Sequence, residues 1–142
     1  MVSNDEKTTG GCLCGAVRYE STAQPHKVGY CHCRVCQRVS GAPVVVGVYF
    51  QQGTFRFVKG KPRYYQSSAS VERGFCENCG SRLTYRIFGS GSISVEVGSL
   101  DHPELTPPEY HIGVESQIPW FEIDDELPRT HIDESTSTGS SN

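Results

Sequence analysis

The sequence predicts a mainly β domain of short antiparallel sheets held together by metal-bound cysteines. Three observations carry this. Glycine (15 residues) and proline (8 residues) punctuate the 142-residue chain too often for long helices. Apolar residues recur in short alternating runs, the period of strands rather than helices. The seven cysteines fall into three tight motifs, and none stands alone. The length suits one domain. Its boundaries are placed at residues 10–130, after a loose polar lead of residues 1–9 and before a polar tail of residues 131–142.

The elements follow in order. GAVRYEST at 15–22 sets Val17 and Tyr19 on one face, a strand signal. KVGYCHC at 27–33 reads as a strand running into a cysteine claw. RVCQRVSG at 34–41 makes one short helical turn, with Gly41 as its stop. PVVVGVYF at 43–50 is the strongest strand, and its near-continuous apolar run predicts cover on both faces. TFRFVKG at 54–60 alternates Phe55 and Phe57 with polar neighbours, so it should be half-buried. RYYQSS at 63–68 and VERGF at 71–75 are further strands. CENCGSRLTYRI at 76–87 is a metal knuckle followed by a strand, with Gly80 suited to the tight backbone. SISVEVGSL at 92–100 alternates clearly, and DHPELTPPEYHIG at 101–113 is turn-rich and ends in a short strand. STSTGSSN at 135–142 has no hydrophobes and predicts a disordered tail.

A formal charge of −3 argues against a nucleic-acid binder that works through a basic field. No run of 18 apolar residues occurs, so no membrane partner is expected. MVSNDEKTTG lacks an apolar signal core, which makes the expected location cytoplasmic.

Disulfides fit the cysteines poorly, because the number is odd and a cytoplasm keeps thiols reduced. A redox C-x-x-C needs a strand-to-helix setting that is not evident here. Metal binding accounts for all seven, since clustered soft thiolates suit tetrahedral zinc. Each knuckle turns its sulfurs toward one point. Cys12 and Cys14 with Cys76 and Cys79 then make a complete four-thiolate site. Closing a loop of over sixty residues couples that site to folding. Cys31, Cys33 and Cys36 remain as a three-thiol claw, and three protein ligands with one open position is the pattern of catalytic zinc. His32 lies between two claw ligands, but alternation along an extended segment points it the other way. His111, or a carboxylate brought in by the fold, is the alternative fourth ligand.

These motifs also resemble a known family. GGCLCGAVRYE, CHCRVCQRVSGA, FCENCGSRLTY and HIGVESQIPWFEIDDELP are similar to the glutathione-dependent formaldehyde-activating enzymes, from about Gly10 to Leu127. That family also includes a domain of centromere protein V. The resemblance implies an Mss4-like β fold with two zinc ions per chain. It implies a structural ion on Cys12, Cys14, Cys76 and Cys79 and a catalytic ion on Cys31, Cys33 and Cys36. It further implies carbon–sulfur lyase chemistry, joining glutathione as co-substrate to formaldehyde or reversing that step. The expected partners are therefore a small-molecule thiol and an aldehyde. A non-enzymatic zinc-stabilised module of the centromere protein V type is the alternative.

Glutathione carries two carboxylates, so a positive rim is expected. Arg34 and Arg38, beside the claw, are the expected contacts, with Lys61 and Arg63 as more distant candidates. Tyr30, Tyr49 and Phe50 either wall the pocket or fill the core. Trp120 reads as a packing residue. His102 and His111 qualify as proton shuttles only by side-chain type and are not assigned a catalytic role.

Overall fold

Alternation along the strands sorts side chains onto two faces, and that sorting builds the site. A computed structural model describes residues 6–132. The expectations for residues 1–5 and for the tail from 133 onward lie outside the described residues. A three-stranded antiparallel sheet is formed by β1 (Thr8–Gly11), β2 (Arg18–Ser21) and β5 (Phe55–Lys59). The larger sheet takes β3 (Lys27–Cys31), β4 (Val45–Gln51), β6 (Arg63–Gln66), β7 (Val71–Phe75), β8 (Arg82–Ile87), β9 (Ser92–Glu96), β10 (Tyr110–Ile112) and β11 (Arg129–Thr130). Its order is β11-β10-β3-β4-β9-β8-β7-β6. One short helix, α1 (Arg34–Ser40), follows β3 and stops at Gly41, which takes the left-handed φ of 71°. Among the described residues no helix is long and apolar enough to cross a membrane.

The mainly β, mainly antiparallel architecture is as expected, with departures at both ends. Strand β1 starts at Thr8, inside the segment expected to be loose. Thr9 is pinned there by its hydroxyl on Asp101, which Arg18 also grips with two donors. At the far end β10 runs parallel to β3, and β11 parallel to β10. Strand β11 has no hydrophobic period and could not be read from sequence. Trp120, expected to pack, is 75% exposed; it follows the last 3-10 turn, with its ring edge-on to Phe121 at 6.3 Å between centroids.

On one face of the large sheet Val28, Val48, Phe50 and Val95 form a core with Tyr19 of the small sheet. Each such side chain contributes about 1.5–3 kcal/mol of burial. The Tyr19 hydroxyl is satisfied by Ser99 Oγ at 2.6 Å. On the opposite face the register aligns Cys31 with Val45, Gly29 with Gly47, and Gly47 with Glu96. So β4 is covered on both faces as its composition predicts, by the core on one side and by a cavity on the other.

A β-bulge between Gly74 and Phe75 pairs Gly74 with Thr84 but Phe75 with Arg82. Leu83 is thereby left over and sinks into the core, while Arg82 turns into the cavity with Tyr85. Gly29 is required for packing. A Cβ there would fall within the ring of Tyr110, which lines the same cavity. Gly29→Ala is expected to lose about 1–3 kcal/mol of stability through overpacking, read as a lowered urea midpoint with unchanged slope.

Candidate functional site

Strand β3 ends at Cys31, and α1 begins just after Cys33. Cys33 is the helix N-cap, its sulfur accepting from the Cys36 amide at 3.4 Å. One strand end and one helical turn thus aim all three thiols at a common point. The three are buried, with Cys31 and Cys33 Sγ 3.4 Å apart. Crowding penalises their ionisation. The adjacent Cys33 thiol, aided by burial, pushes Cys31 up to about 12, and Cys31 and Cys33 push Cys36 higher still. A cation among them removes that penalty.

The second cluster joins the turn after β1 to the turn between β7 and β8. Cys12, Cys14, Cys76 and Cys79 place their sulfurs within 4.8 Å of one another. Cys12 and Cys14 are 3.6 Å apart, and Cys14 and Cys76 are 3.8 Å apart. These spacings match the edge of a zinc–thiolate tetrahedron, about 3.8 Å for bonds of about 2.3 Å, and are far too long for disulfides. Donors surround the sulfurs. Val17 N–H reaches Cys12, Asn78 Nδ2 reaches Cys14, and Ser81 Oγ reaches Cys79. The Ser81 hydroxyl leads the effects that draw the Cys79 thiol down to about 5. Both donor sets therefore fit a soft divalent ion. No histidine or carboxylate joins the claw as a fourth ligand among the described residues.

The claw opens on a cavity of about 30 Å³, room for one or two water molecules. Tyr49, Tyr85 and Tyr110 wall it, and Arg73, Arg82 and Glu96 charge it. Arg82 Nη2 pairs with Glu96 Oε2 at 3.0 Å, while Arg82 Nη1 is buried and finds no protein partner among the described residues. Arg73 is buried, donates from Nε to Ser67 Oγ at 3.1 Å and stacks over Tyr85 at 5.0 Å. Burial raises the Glu96 carboxyl above its ordinary range, against the opposing pull of Arg82 and Arg73. Val45, Arg82 and Glu96 also line an open groove of about 730 Å³ that runs to Cys12 and Ser81 of the second cluster.

Behind the claw the side chains are aromatic and polar. His32 and His111 are both fully buried, with His32 Nε2 2.8 Å from His111 Nδ1. His111 Nε2 meets Asp125 Oδ2 at 2.9 Å, and Tyr30 stacks on His111 with ring centroids 4.4 Å apart. Burial and the facing His111 draw His32 down to about 4, so its ring is neutral. The His111 hydrogen bond holds Asp125 below the usual carboxylate range.

The seven sequence-predicted cysteines thus come together in the two expected groups, and His32 stays off the claw. His111, the alternative fourth ligand, is committed to His32 and Asp125. The expected arginines are placed differently. Neither Arg34 nor Arg38 lines the cavity, and Arg34 bonds to Gln37 Oε1. Lys61 is also absent from its walls, while Arg63 pairs with Glu77 at 3.5 Å. Arg73 and Arg82 line the cavity instead, brought there by β7 and β8 from across the sheet. Tyr49 is a wall residue, Phe50 is core, and Tyr30 backs the histidines. His102 is exposed beside Glu104, and Ser40 caps the Cys36 carbonyl. Sequence reasoning missed Arg73, Arg82, Glu96 and Asp125. For the first three the available signal was a charged residue inside VERGF, SRLTY and SISVEV, where strand periodicity demands burial.

Residues 7–116 match the family described as glutathione-dependent formaldehyde-activating enzyme. An uncharacterized lyase of Schizosaccharomyces pombe is 30% identical over 76 residues, 54% of this chain and 55% of that protein, so the match spans about half the length of the curated relative. A crystal structure of a Rhodobacter sphaeroides protein superposes with a TM-score of 0.52 at 20% identity, covering 86% of this chain and 99% of that one. That likeness concerns the fold. The separate geometry of the two clusters has a direct consequence. Cys33→Ser keeps a good helix cap, so it should halve the bound metal measured by elemental analysis while leaving cooperative unfolding intact. Cys76→Ser should abolish the cooperative transition, because it unties β1 from the β7–β8 turn.

Proposed function

The chain belongs to the glutathione-dependent formaldehyde-activating enzyme family, and from that premise we propose that it is a zinc-dependent carbon–sulfur lyase whose reaction takes place at the claw of Cys31, Cys33 and Cys36. The observation that carries this reading is the contrast between the clusters. Four thiols complete one metal site, while three buried thiols face a cavity in the other. The first zinc is structural, on Cys12, Cys14, Cys76 and Cys79, and the second catalytic. Bound zinc supplies the positive charge that lets a substrate sulfur exist as thiolate at neutral pH.

The protein groups supply the rest. Cys31, Cys33 and Cys36 hold the ion and leave one position for the substrate. The tyrosines around the cavity exclude water from it. Glu96, which lines the cavity and has a raised carboxyl, is the group assigned to accept the substrate thiol proton and return it to the aldehyde oxygen. The sulfur then forms a bond to the aldehyde carbon, the C=O electron pair moves to oxygen, and the oxygen takes the proton. Reversal breaks the same C–S bond. Arg82, which lines both the cavity and the open groove, is the group assigned to a substrate carboxylate, where the sequence reading expected Arg34 and Arg38. Reduced, metal-bound thiols also favour the cytoplasm expected from sequence.

The test uses glutathione and formaldehyde with the zinc-loaded protein, following the hydroxymethyl adduct by NMR. Turnover above the uncatalysed rate is the expected result. Glu96→Gln should lower kcat about 100-fold with little change in KM. Arg82→Gln should raise KM for glutathione about tenfold or more, and raise it far less for an uncharged thiol such as 2-mercaptoethanol. No turnover with any thiol, together with zinc content unaltered by thiols, would sink the enzyme reading and favour a binding module.

A further inference from the structure

The segment between the claw ligands Cys31 and Cys33 consists of one residue, His32, whose amide, carbonyl and ring Nε2 are all committed. Its amide donates to the Ile112 carbonyl at 3.0 Å. Its carbonyl accepts from Gln37 Nε2 at 2.6 Å, and the same amide group donates to Ser116 at 3.0 Å. Its ring lies near-parallel to His111 at 5.1 Å. A Cβ on Gly113, which has a φ of 69°, would come within 3.0 Å of the Cys33 nitrogen. Strand β10 thus grips the claw backbone from behind, and the grip extends through His111 to Asp125.

Asp125 fixes the direction of this chain. Its Oδ1 accepts the Leu127 amide at 3.0 Å and pairs with Arg129 at 3.0 Å, so His111 Nε2 lies nearer Oδ2, at 2.9 Å, than Oδ1, at 3.2 Å. A carboxylate only accepts, so His111 carries its proton on Nε2 and shows a lone pair at Nδ1. His32 must then donate from Nε2. Its Nδ1 is left as a lone pair, and that atom is indeed buried without a partner among the described residues.

We propose that Asp125 is a positioning residue for the claw, acting through His111 to hold the ring, and hence the backbone, of His32 between two of the metal ligands. The device lies behind the thiols and touches neither substrate nor ion. It preorganises three sulfurs that have no fourth protein ligand to complete their geometry, the usual service of outer partners to a metal site. It also lies partly outside the family match, which ends at residue 116. The proposal rests on the claw being a metal site.

The test is Asp125→Asn in the full chain loaded with zinc. The Leu127 amide and Arg129 demand the oxygen of the new side chain, which turns its NH₂ group toward His111. Both histidines must then shift their protons to Nδ1, and an orphaned N–H replaces the orphaned lone pair at His32, the rarer burial. Nitrogen-15 NMR should show Nε2–H on both rings in the natural protein and Nδ1–H in Asp125→Asn. Competition with a chelator should show claw affinity lowered 10–100-fold. The four-thiolate site should hold its ion unchanged and serves as the folding control. In Asp125→Ala the same loss should be reversed in part by added formate, which a purely structural anchor would not show. Reversed tautomers with unaltered claw affinity would overturn the relay alone. So would Nδ1 protons in the natural protein. A natural claw that takes up no metal would overturn the underlying site as well.

Discussion

Like-charge crowding of thiols is the constraint on which this structure turns. Neighbouring sulfurs stand 3.4–3.8 Å apart in both groups, and within the claw each thiol opposes the ionisation of the next. Without a cation the claw thiols stay protonated, and a bound ion is what would let them ionise together. The small sheet depends on the same balance. Strand β1 is four residues long, and its following turn is joined to the β7–β8 knuckle by sulfur and by the Leu13 amide on Ser81 Oγ at 3.0 Å. The hydrophobic contribution of β1 is minor, so the thiol cluster, which could hold a metal ion, and the Arg18–Asp101 pair add to the core around Tyr19 in tying the two sheets together.

Given that tie, the large sheet does two tasks with one alternation. Val48 and Phe50 face the core, while Gly47 and Tyr49 face the cavity. Glycine at 29 and 47 makes room on the cavity face, because Tyr110 and Ser94 occupy the space their side chains would need. The bulge in β7–β8 breaks this alternation, and it delivers Arg82 to the site without costing the core Leu83. A regular ladder would have exchanged them.

Much of this was legible in the sequence, and the reasons are local. Cysteine spacing dictates knuckles whatever surrounds them, so both thiol groups and the exclusion of His32 followed from sequence. Strands with clear alternation, such as SISVEV, were equally plain. What failed to show depends on distant partners. Strand β11 exists only because β10 offers it an edge, and Thr8 is ordered through its neighbour Thr9 meeting Asp101, ninety-two residues on. The cavity arginines were hidden by the same logic. Arg34 and Arg38 are near the claw along the chain, whereas Arg73 and Arg82 are near it across the sheet, and Arg82 only because of a bulge. Trp120 was misjudged because residue type suggests burial while its turn supplies nothing to bury against.

The sizes of the two spaces divide the work of the proposed reaction. A cavity of about 30 Å³ accepts a sulfur and a one-carbon aldehyde, but no tripeptide. The groove of about 730 Å³ has ample room for the remainder of a thiol. Arg82 and Glu96 belong to both. On the proposed reading, then, choice of aldehyde is made by tyrosine walls packed against Gly29 and Gly47, a rigid part of the sheet. Choice of thiol is made in an open groove whose residues come from loops and strand ends, where substitution disturbs little packing. Such a chain can change its thiol partner far more readily than the size of the aldehyde it accepts, because only the second change requires repacking the sheet around the claw.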